Sequence, residues 1–410
     1  MRHPLQKSPV SNIFETNLFY HTSDMDSPFI FDRFVTGKNF IGRKDDCTIL
    51  RNLLSQGENV AIYEPPKSGK TSLIQQTFFN MRLTGGQFSI AQLSLLDVRD
   101  SATFLTRLGS AVLKATLSTP EEYAAAVPRL LSGTHFVFDR KRFNEAGEAL
   151  SLNWDPDGND IETGLRLGWK LSRESGRQLI VVLTEFQNIS RLDDSYEVLK
   201  IFEKVLAEER SAGDARCSFL FCGSMVNAMK WIFEEKRYFF RNVERLKMHP
   251  VETREIVEYV VRGFLSSGKV IERELLTGAC NLLKNNLWYI NHLVSICDSR
   301  SKGYIVESVL EEALGALVAI HEPQFIATIS SLTTFQLHLL KAILDGVTRF
   351  SASDVISRYG LSSSANVKRL KDALMKKEIV TFNGQDEPEL LDPLFEYWVR
   401  NMMVLSFKNF

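Results

Sequence analysis

The stretch Tyr63 to Ser72, YEPPKSGKTS, ends in residues that suit the binding of phosphate. It follows the short apolar run NVAIY and opens TSLIQQTFFNMRL, whose apolar residues have helical spacing. In a strand, loop and helix of this kind, backbone N–H groups and the helix N-terminus surround a phosphate, a lysine neutralises its charge, and a threonine hydroxyl holds Mg²⁺. We therefore predict a site for ATP or ADP, with Mg²⁺ on Thr71. The predicted phosphate-binding residues are Pro66, Lys67, Ser68, Gly69, Lys70, Thr71 and Ser72.

The start of this loop departs from the pattern G-x-x-x-x-G-K-[ST], because Glu64 stands where the first glycine is expected. Pro65 and Pro66 preset the backbone φ angle and so provide another way to turn out of the strand. We expect the Glu64 side chain to point away from the phosphates, since an acid beside them would weaken nucleotide binding. The alternative is a chance Gly-Lys-Thr at the start of a helix.

A second acidic position follows the apolar run QLIVVL, in the stretch LIVVLTEFQNI. In P-loop ATPases the strand at this point ends in an aspartate that orders the Mg²⁺ shell, often followed by a glutamate that polarises the attacking water. Here Thr184 takes the place of the aspartate, and Glu185 is present. We therefore predict firm nucleotide binding and slow or impaired hydrolysis. The alternative is a strand that ends in an ordinary surface acid.

The elements that must position these residues alternate between strand and helix. The runs NVAIY, FSIAQLSLLDV, QLIVVL and CSFLFCG are short and are bounded by polar residues. The last two lack polar alternation, as do strands buried on both faces of a parallel α/β sheet. Residues 44–56 read as a helix, and residues 101–160 as helical segments followed by a hairpin that turns at Glu145 to Gly147.

The pattern changes after Val251, from where the chain reads as helical to about Pro323. Three short amphipathic helices then follow, in TTFQLHLLKAIL, SASDVISRYG and SSANVKRLKDALMKKE. The stretch IVTFNGQDEPELL reads as a β-hairpin wing. This order predicts a C-terminal winged helix.

Composition excludes several other classes of protein. The 410 residues carry a formal net charge of −1, so any contact with nucleic acid must come from a local basic patch. The five cysteines form no C-x-x-C pair and are expected to be reduced core residues of a cytoplasmic protein. We expect neither secretion nor a membrane span, which needs roughly 20 apolar residues in a row. The histidines show no metal-ligand spacing.

A family resemblance rests on the order of five segments: FIGRKDD, EPPKSGKTSLI, VVLTEFQNI, LFCGSM and DPLFEYWVR. Over about Pro28 to Arg400 the chain resembles the prokaryotic AAA+/STAND-related P-loop ATPases of the archaeal type. The resemblance implies an α/β fold with a three-layer P-loop NTPase (AAA+-like) parallel sheet, followed by a helical lid domain and a winged-helix domain. The domains expected are a poorly ordered leader (1–27), an ATPase core (28–250), a lid (251–328) and a winged helix (329–410).

The same resemblance assigns roles to individual residues. It implies that Phe40, Ile41, Gly42 and Arg43 line the adenine side. It implies that Lys70 and Thr71 hold phosphate and Mg²⁺, that Glu185 is the catalytic acid, that Ser224 senses the γ-phosphate, and that Arg241 acts as an arginine finger. Alternatively, Ser224 caps the next helix and Arg241 is a surface charge. The chain departs from the family at Glu64, at Thr184 and in KNNLWYI, where the family has glycines and a proline.

Three functions are compatible with these observations. The first is a nucleotide-dependent molecular switch, an ATPase in which the nucleotide moves the winged helix. The second is a DNA-binding regulator with a degenerate ATPase core, based on Lys368, Arg369 and Lys371 in the third helix, although the wing NGQDEPE is acidic. The third is a nucleotide-bound interaction platform without turnover. A protein partner, or self-association through the lid and winged helix, is expected.

Overall fold

The computed structural model describes residues 27–213 and 216–406. The leader predicted for residues 1–27 lies outside the described residues, apart from Ser27. All five cysteines are buried and none forms a disulfide, which agrees with the core positions predicted from the sequence.

The first half of the chain alternates strand and helix. In chain order its elements are α1 (Lys44–Ser55), β1 (Val60–Tyr63), α2 (Lys70–Leu83), β2 (Phe88–Ser94), α3 (Ser101–Thr116), α4 (Pro120–Leu130), β3 (Phe136–Val137), α5 (Arg140–Ala146), β4 (Ser151–Leu152), α6 (Gly158–Ser175), β5 (Gln178–Thr184), α7 (Ser195–Ser211), β6 (Cys217–Gly223), α8 (Val226–Lys230) and β7 (Glu244–Arg245). Short 3₁₀ turns lie at Gly37–Asn39 and Phe186–Arg191, and a π-helical turn at Trp231–Glu235.

Five strands form one parallel sheet in the order β2-β5-β6-β1-β7. Both faces are covered, because alternate side chains of β1 enter different cores. Val60 and Ile62 pack against α1 and α2, whereas Ala61 and Tyr63 belong to the cluster that includes α3, α6 and α7. Tyr63 is in register with Gly223, so the residues that follow β1 and β6 meet at one edge of the sheet. The predicted three-layer α/β fold is confirmed.

The hairpin turn predicted at Glu145 to Gly147 is wrong. The Asp139 side chain accepts hydrogen bonds from the N–H groups of Lys141 and Arg142 and so starts α5. Gly147, with φ of 69°, ends that helix in the left-handed conformation. The short strands β3 and β4 do pair antiparallel, but a whole helix connects them.

The second half of the chain is mostly helical. Its elements are α9 (Thr253–Ser266), β8 (Val270–Ile271), α10 (Arg273–Leu282), α11 (Leu287–Arg300), β9 (Tyr304–Ile305), α12 (Glu307–Ser330), α13 (Thr334–Leu344), α14 (Ser353–Tyr359), α15 (Ser364–Lys376), β10 (Val380–Phe382), β11 (Pro388–Leu390) and α16 (Pro393–Ser406). The three short helices and the wing β10–β11 are confirmed. The parallel pair β8–β9 interrupts a region predicted to be wholly helical.

The lid and the winged helix share one hydrophobic core. Buried Leu293 of α11, Leu317 and Phe325 of α12, and Leu339 of α13 belong to the same cluster as Trp398 of α16. The Phe325 and Trp398 rings lie 5.5 Å apart, and the Trp398 indole donates a hydrogen bond to Glu322. We call the part of the chain that forms the parallel sheet and its covering helices, residues 28–250, the sheet domain. Because closely packed cores transmit displacement, we expect the lid and the winged helix to move as one unit relative to it.

Among the described residues, α12 is long and apolar enough to cross a membrane by length and composition alone. Its first turn carries Glu307, followed by Glu311 and Glu312, and its buried residues include Leu317 and Phe325 of the shared core. A helix that packs a protein core meets the same two criteria.

Candidate functional site

A cleft of about 500 Å³ opens between the loop that joins β1 to α2 and the helices of the lid. Tyr259 of α9 and Trp288 and Asn291 of α11 form its lid side, and residues 30–35 form a further wall. This volume is typical of a site for a small molecule or cofactor. The residues predicted from sequence that line it are Phe40, Ile41, Arg43, Pro66, Lys67, Ser68, Gly69, Lys70, Thr71, Ser72, Glu185 and Ser224.

The loop after β1 turns sharply into α2. Lys67 and Gly69 have φ angles of 63° and 90°, and Gly69 precedes the first helical residue, Lys70. The Lys70 ammonium donates hydrogen bonds to the carbonyl oxygens of Glu64 (2.6 Å) and Pro65 (2.8 Å) and to Ser68 Oγ (3.3 Å). Burial lowers the pKa of Lys70 to about 8. A buried cation therefore lies beside the helix N-terminus, within reach of oxygen acceptors.

Nucleotide affinity is expected to fall as the pH rises above about 8, the pKa of Lys70. A bound phosphate favours the charged lysine and raises its pKa, so binding above pH 8 requires the uptake of a proton. The affinity should therefore drop by up to about tenfold per pH unit in that range. Calorimetry of ADP binding in buffers of different ionisation enthalpy measures both the affinity and the proton uptake.

The matched control for this pH dependence is Lys70→Arg, whose guanidinium stays charged throughout the range. Its affinity should change little with pH, whatever its absolute value. An affinity of the unmodified protein that stays constant to about pH 9.5 would contradict the assignment of the buried cation.

Glu64 points away from the cleft, as expected. Its Oε1 accepts a hydrogen bond from the Met248 N–H at 3.2 Å, and burial raises the pKa of its carboxyl group. Its backbone carbonyl, by contrast, faces Lys70. Glu64, at the position of the missing glycine, thus contributes its backbone carbonyl to the loop as an acceptor for Lys70.

Arg43 connects the segment before α1 to the loop between β1 and α2, residues 64–69, which we call the phosphate loop. Its Nε donates to the His249 carbonyl (2.9 Å) and its Nη1 to the Ser68 carbonyl (2.7 Å). Gly42 does not line the cleft, but its φ of 64° and its close approach to Val251 require glycine, because a Cβ would lie 2.7 Å from Val251 Cγ1. Gly42 therefore shapes the turn that presents its neighbours.

Glu185 and Ser224 meet at the cleft although they follow different strands. Ser224 Oγ and Gln187 Nε2 each donate a hydrogen bond of 2.6 Å to Glu185 Oε2. Glu185 has a φ of 53°, an unfavourable conformation for glutamate that its neighbours must hold. Gln187 was not predicted as a site residue, although it lies only two positions after Glu185, because its role depends on the 3₁₀ turn at Phe186–Arg191.

Thr184 is absent from the cleft wall. Its Oγ1 lies 3.5 Å from the Leu93 carbonyl of the neighbouring strand. Of the acidic residues in the described part of the chain, Asp32 and Glu185 line the cleft. At the position where P-loop ATPases carry an aspartate on this strand, the chain therefore has a threonine hydroxyl that does not line the cleft, and Glu185 is the acid that follows it.

Arg241 lies outside the cleft. Its guanidinium stands 5.3 Å from the centre of the exposed Phe240 ring, and its carbonyl accepts a hydrogen bond from Arg210. Arg241 is exposed and does not line the cleft of its own chain. Its role as an arginine finger toward a neighbour stays a prediction.

The winged helix docks onto the sheet domain directly after Ser224. The Glu378 carboxylate accepts hydrogen bonds from the N–H groups of Asn227 (2.9 Å) and Ala228 (3.0 Å) at the start of α8. The Asn227 amide donates in turn to the carbonyls of Met375 and Val380. Burial raises the pKa of the Glu378 carboxyl group, and these N–H donors oppose that shift. We call this set of bonds the Glu378 contact.

Glu378→Ala is expected to weaken the attachment of the winged helix to α8, to which Asn227 and Lys230 also contribute. The loss of charge-assisted hydrogen bonds at a half-buried site costs about 1.5–3 kcal/mol, so amide exchange of Asn227 and Ala228 should accelerate about 10- to 100-fold. Hydrogen exchange with peptide resolution measures this. The control is Glu387→Ala, which removes the same charge from the exposed tip of the wing and should leave both amides protected. Unchanged exchange in Glu378→Ala would show that other contacts dock the winged helix.

The third helix of the winged helix, α15, is only partly free. Asp372, Met375 and Lys376 line a cavity of about 900 Å³ between it and the sheet domain. Lys371 pairs with Asp386 and lies against the Phe350 and Phe382 rings. Lys368 and Arg369 are exposed.

Comparison with known proteins agrees with this architecture. A family model described as "Probable winged helix domain" matches residues 323–401. The Walker-type ATPase PABY2304 of Pyrococcus abyssi superposes with a TM-score of 0.62 and 14% identity, covering 91% of this chain and 99% of that chain. The ORC2 protein of Aeropyrum pernix, solved as ADPNP–ADP complexes, gives 0.54 and 15% identity, covering 92% and 98%.

The ADP form of the same A. pernix protein gives a TM-score of 0.50 and 14% identity, covering 90% of this chain and 97% of that chain. No curated protein matches the sequence significantly. At such low identity the likeness establishes the fold alone. The chain thus has the fold of the AAA+ P-loop ATPases, with a helical lid and a C-terminal winged-helix domain.

Proposed function

We propose that the protein binds ATP or ADP with Mg²⁺ and acts as a nucleotide-dependent switch with slow hydrolysis. The observation that carries this proposal is the position of the phosphate loop. The loop lies beneath lid helices that share one hydrophobic core with the winged helix. A ligand that changes the angle between loop and lid therefore changes the position of the winged helix.

The residues of the cleft fit a nucleotide. Phosphate oxygens would replace the carbonyls of Glu64 and Pro65 as acceptors for Lys70, while the N–H groups at the start of α2 surround the phosphate. Thr71 would hold Mg²⁺, which neutralises phosphate charge when bound. The half-buried side chains of Phe40 and Ile41 suit the apolar faces of a base.

Slow hydrolysis follows from the opposite side of the cleft. Glu185 is placed to accept a proton from an attacking water, but Ser224 and Gln187 already occupy one of its oxygens. Thr184 provides no carboxylate to order the metal shell. When hydrolysis is slow, the ATP-bound state persists, and this suits a switch that responds to which nucleotide is bound.

The comparisons support this proposal at the level of the fold. The A. pernix ORC2 protein was solved as ADPNP–ADP complexes, and 98% of that chain superposes on this one. A cytoplasmic location and self-association, or a protein partner, through the lid and winged helix are part of the same proposal.

Calorimetry with ATP, ADP and GTP, each with and without Mg²⁺, tests the function. We expect adenine nucleotides to bind at micromolar or lower concentration and the amides of Asn227 and Ala228 to change their exchange rate on binding. The proposal fails if no nucleotide binds, or if binding leaves the winged helix unchanged. Binding without movement would leave the interaction platform as the better description.

A DNA-binding regulator is the second candidate, because Lys368 and Arg369 are exposed on α15. Against it, Lys371 is engaged by Asp386, and the Glu378 contact holds the end of α15 against the sheet domain. A salt-dependent DNA affinity that is lost when Lys368 and Arg369 are neutralised would favour this candidate.

A further inference from the structure

A chain of three polar side chains connects the phosphate loop to the winged helix. The Lys67 ammonium donates to Tyr289 Oη at 3.1 Å, and the Tyr289 hydroxyl donates to Asp392 Oδ2 at 2.7 Å. Lys67 belongs to the phosphate loop, Tyr289 to α11 of the lid, and Asp392 to the winged helix. We call these three residues the polar relay.

The relay is built into the protein interior. Tyr289 is 1% exposed, so its hydroxyl needs partners within the protein, and Lys67 and Asp392 provide them. The Lys67 ammonium also lies 4.3 Å from the Trp288 ring centre and 4.6 Å from that of Tyr289. Such contacts with aromatic faces stabilise a cation that is partly removed from water. Burial lowers the pKa of Lys67, and Asp392 opposes this shift.

Asp392 has a second task. Its Oδ1 accepts hydrogen bonds from the N–H groups of Leu394 (2.9 Å) and Phe395 (3.1 Å) and so caps α16. Phe395 packs in turn against Phe325 of α12. A substitution at Asp392 is therefore expected to affect the packing of α16 against α12, the helix that connects the lid to the winged helix.

The Lys67 side chain borders two cavities. It lines the nucleotide cleft, and it also lines a separate cavity of about 270 Å³ that Asp392 borders. Its unfavourable φ of 63° belongs to the loop that surrounds the phosphate, so the loop and the lysine move together. The ammonium can therefore pair with an anion on either side.

We infer that Lys67 exchanges partners, from Tyr289 and Asp392 in the nucleotide-free protein to a phosphate oxygen in the bound protein. Phosphate and winged helix then compete for one cation, so each weakens the attachment of the other. This inference rests on the nucleotide switch proposed above and names the residues that operate it. Tyr289 and Asp392 are positioning residues, since neither touches the nucleotide.

The competition predicts effects of opposite sign. Tyr289→Phe keeps the ring but removes the hydroxyl, so Lys67 loses its competing partner, and affinity for ATP and ADP should rise about 3- to 10-fold. Asp392→Asn should act the same way and still cap α16, because asparagine caps as well as aspartate. Lys67→Met should lower the affinity by a similar factor. In all three variants the amides of Asn227 and Ala228 should exchange faster without nucleotide.

Calorimetry and hydrogen exchange on the full chain test these effects, with thermal unfolding to verify the fold. Tyr359→Phe is the matched control, because the Tyr359 hydroxyl donates to Asp345 at 2.9 Å within the winged helix. It should change neither readout.

The inference is overturned if the unmodified protein binds nucleotide and Tyr289→Phe binds it equally or more weakly. It is also overturned if the exchange of Asn227 and Ala228 is unchanged in all three variants. Failure of the unmodified protein to bind any nucleotide would instead refute the proposed function. The nucleotide-free exchange rates would still decide whether the relay holds the winged helix.

Discussion

Lys70→Ala is expected to weaken the binding of both ATP and ADP by about 100-fold or more. The ammonium is the buried cation of the phosphate loop, held by the carbonyls of Glu64 and Pro65 where phosphate oxygens would lie. A charge-assisted contact to phosphate contributes up to about 3 kcal/mol, which is about two orders of magnitude in affinity. Calorimetry at about pH 7, where the lysine is charged, measures the loss.

The control for this result is Lys141→Ala, which removes the same charge from an exposed site on α5. Its affinity for nucleotide should match that of the unmodified protein, because Lys141 does not line the cleft and its exposed charge is screened by solvent. Equal binding by Lys70→Ala and by the unmodified protein would refute both the phosphate site and the switch built upon it. A lower melting temperature of Lys70→Ala alone would indicate a structural role for the lysine instead.

The phosphate loop and its sheet were predictable from the sequence because the signals are local. The strand, the loop and the helix are adjacent in the chain, from Val60 to Leu83. Each has its own pattern of apolar residues. The same reasoning placed Glu185 and Ser224 correctly at the ends of two buried strands. Parallel strands bring their carboxyl ends to one edge, so the meeting of these two residues follows from the fold.

The contacts of the winged helix were not predictable in this way. Tyr289 and Asp392 are separated by 103 positions, and Asn227 and Glu378 by 151. No periodicity links residues so far apart, and tyrosine and glutamate are common on any surface. The sequence did mark the stretch KNNLWYI as a departure from the family, but no pattern in it predicts the hydrogen bond from the Tyr289 hydroxyl to Asp392.

These distant contacts decide how the proposed switch works. The lid and the winged helix share a core, so the nucleotide need not move them separately. The Glu378 contact and the polar relay attach this unit to the sheet domain next to Ser224 and next to the phosphate loop, and Lys230 of α8 adds bonds to Thr381 and Phe382 of the wing. Both points adjoin residues of the cleft. A bound nucleotide would therefore act on the unit where its attachments begin.

Thr184→Asp is expected to raise the rate of ATP hydrolysis by about 10-fold or more. Thr184 ends β5 beside Glu185, and its hydroxyl makes only a long contact of 3.5 Å with the Leu93 carbonyl. Losing this contact therefore costs little, and Mg²⁺ is needed to offset the repulsion between the new carboxylate and Glu185. An aspartate here would supply the carboxylate that orders the metal shell in P-loop ATPases, which positions the phosphates and the attacking water. Steady-state release of phosphate measures the gain.

The gain should depend on both Mg²⁺ and Glu185. Two adjacent carboxylates repel each other unless a cation lies between them, so the variant should reach half of its maximal rate at a lower Mg²⁺ concentration than the unmodified protein.

Ser94→Asp places the same charge at the register partner of Thr184 on β2, one strand farther from the loop, and should leave the rate unchanged. Adding Glu185→Gln to Thr184→Asp should abolish the gain, because a metal shell without a group to accept the proton from water orders the substrate but does not activate the nucleophile. A rate that stays low in Thr184→Asp at saturating Mg²⁺ would instead locate the obstacle at Glu185 itself, whose Oε2 is held by Ser224 and Gln187.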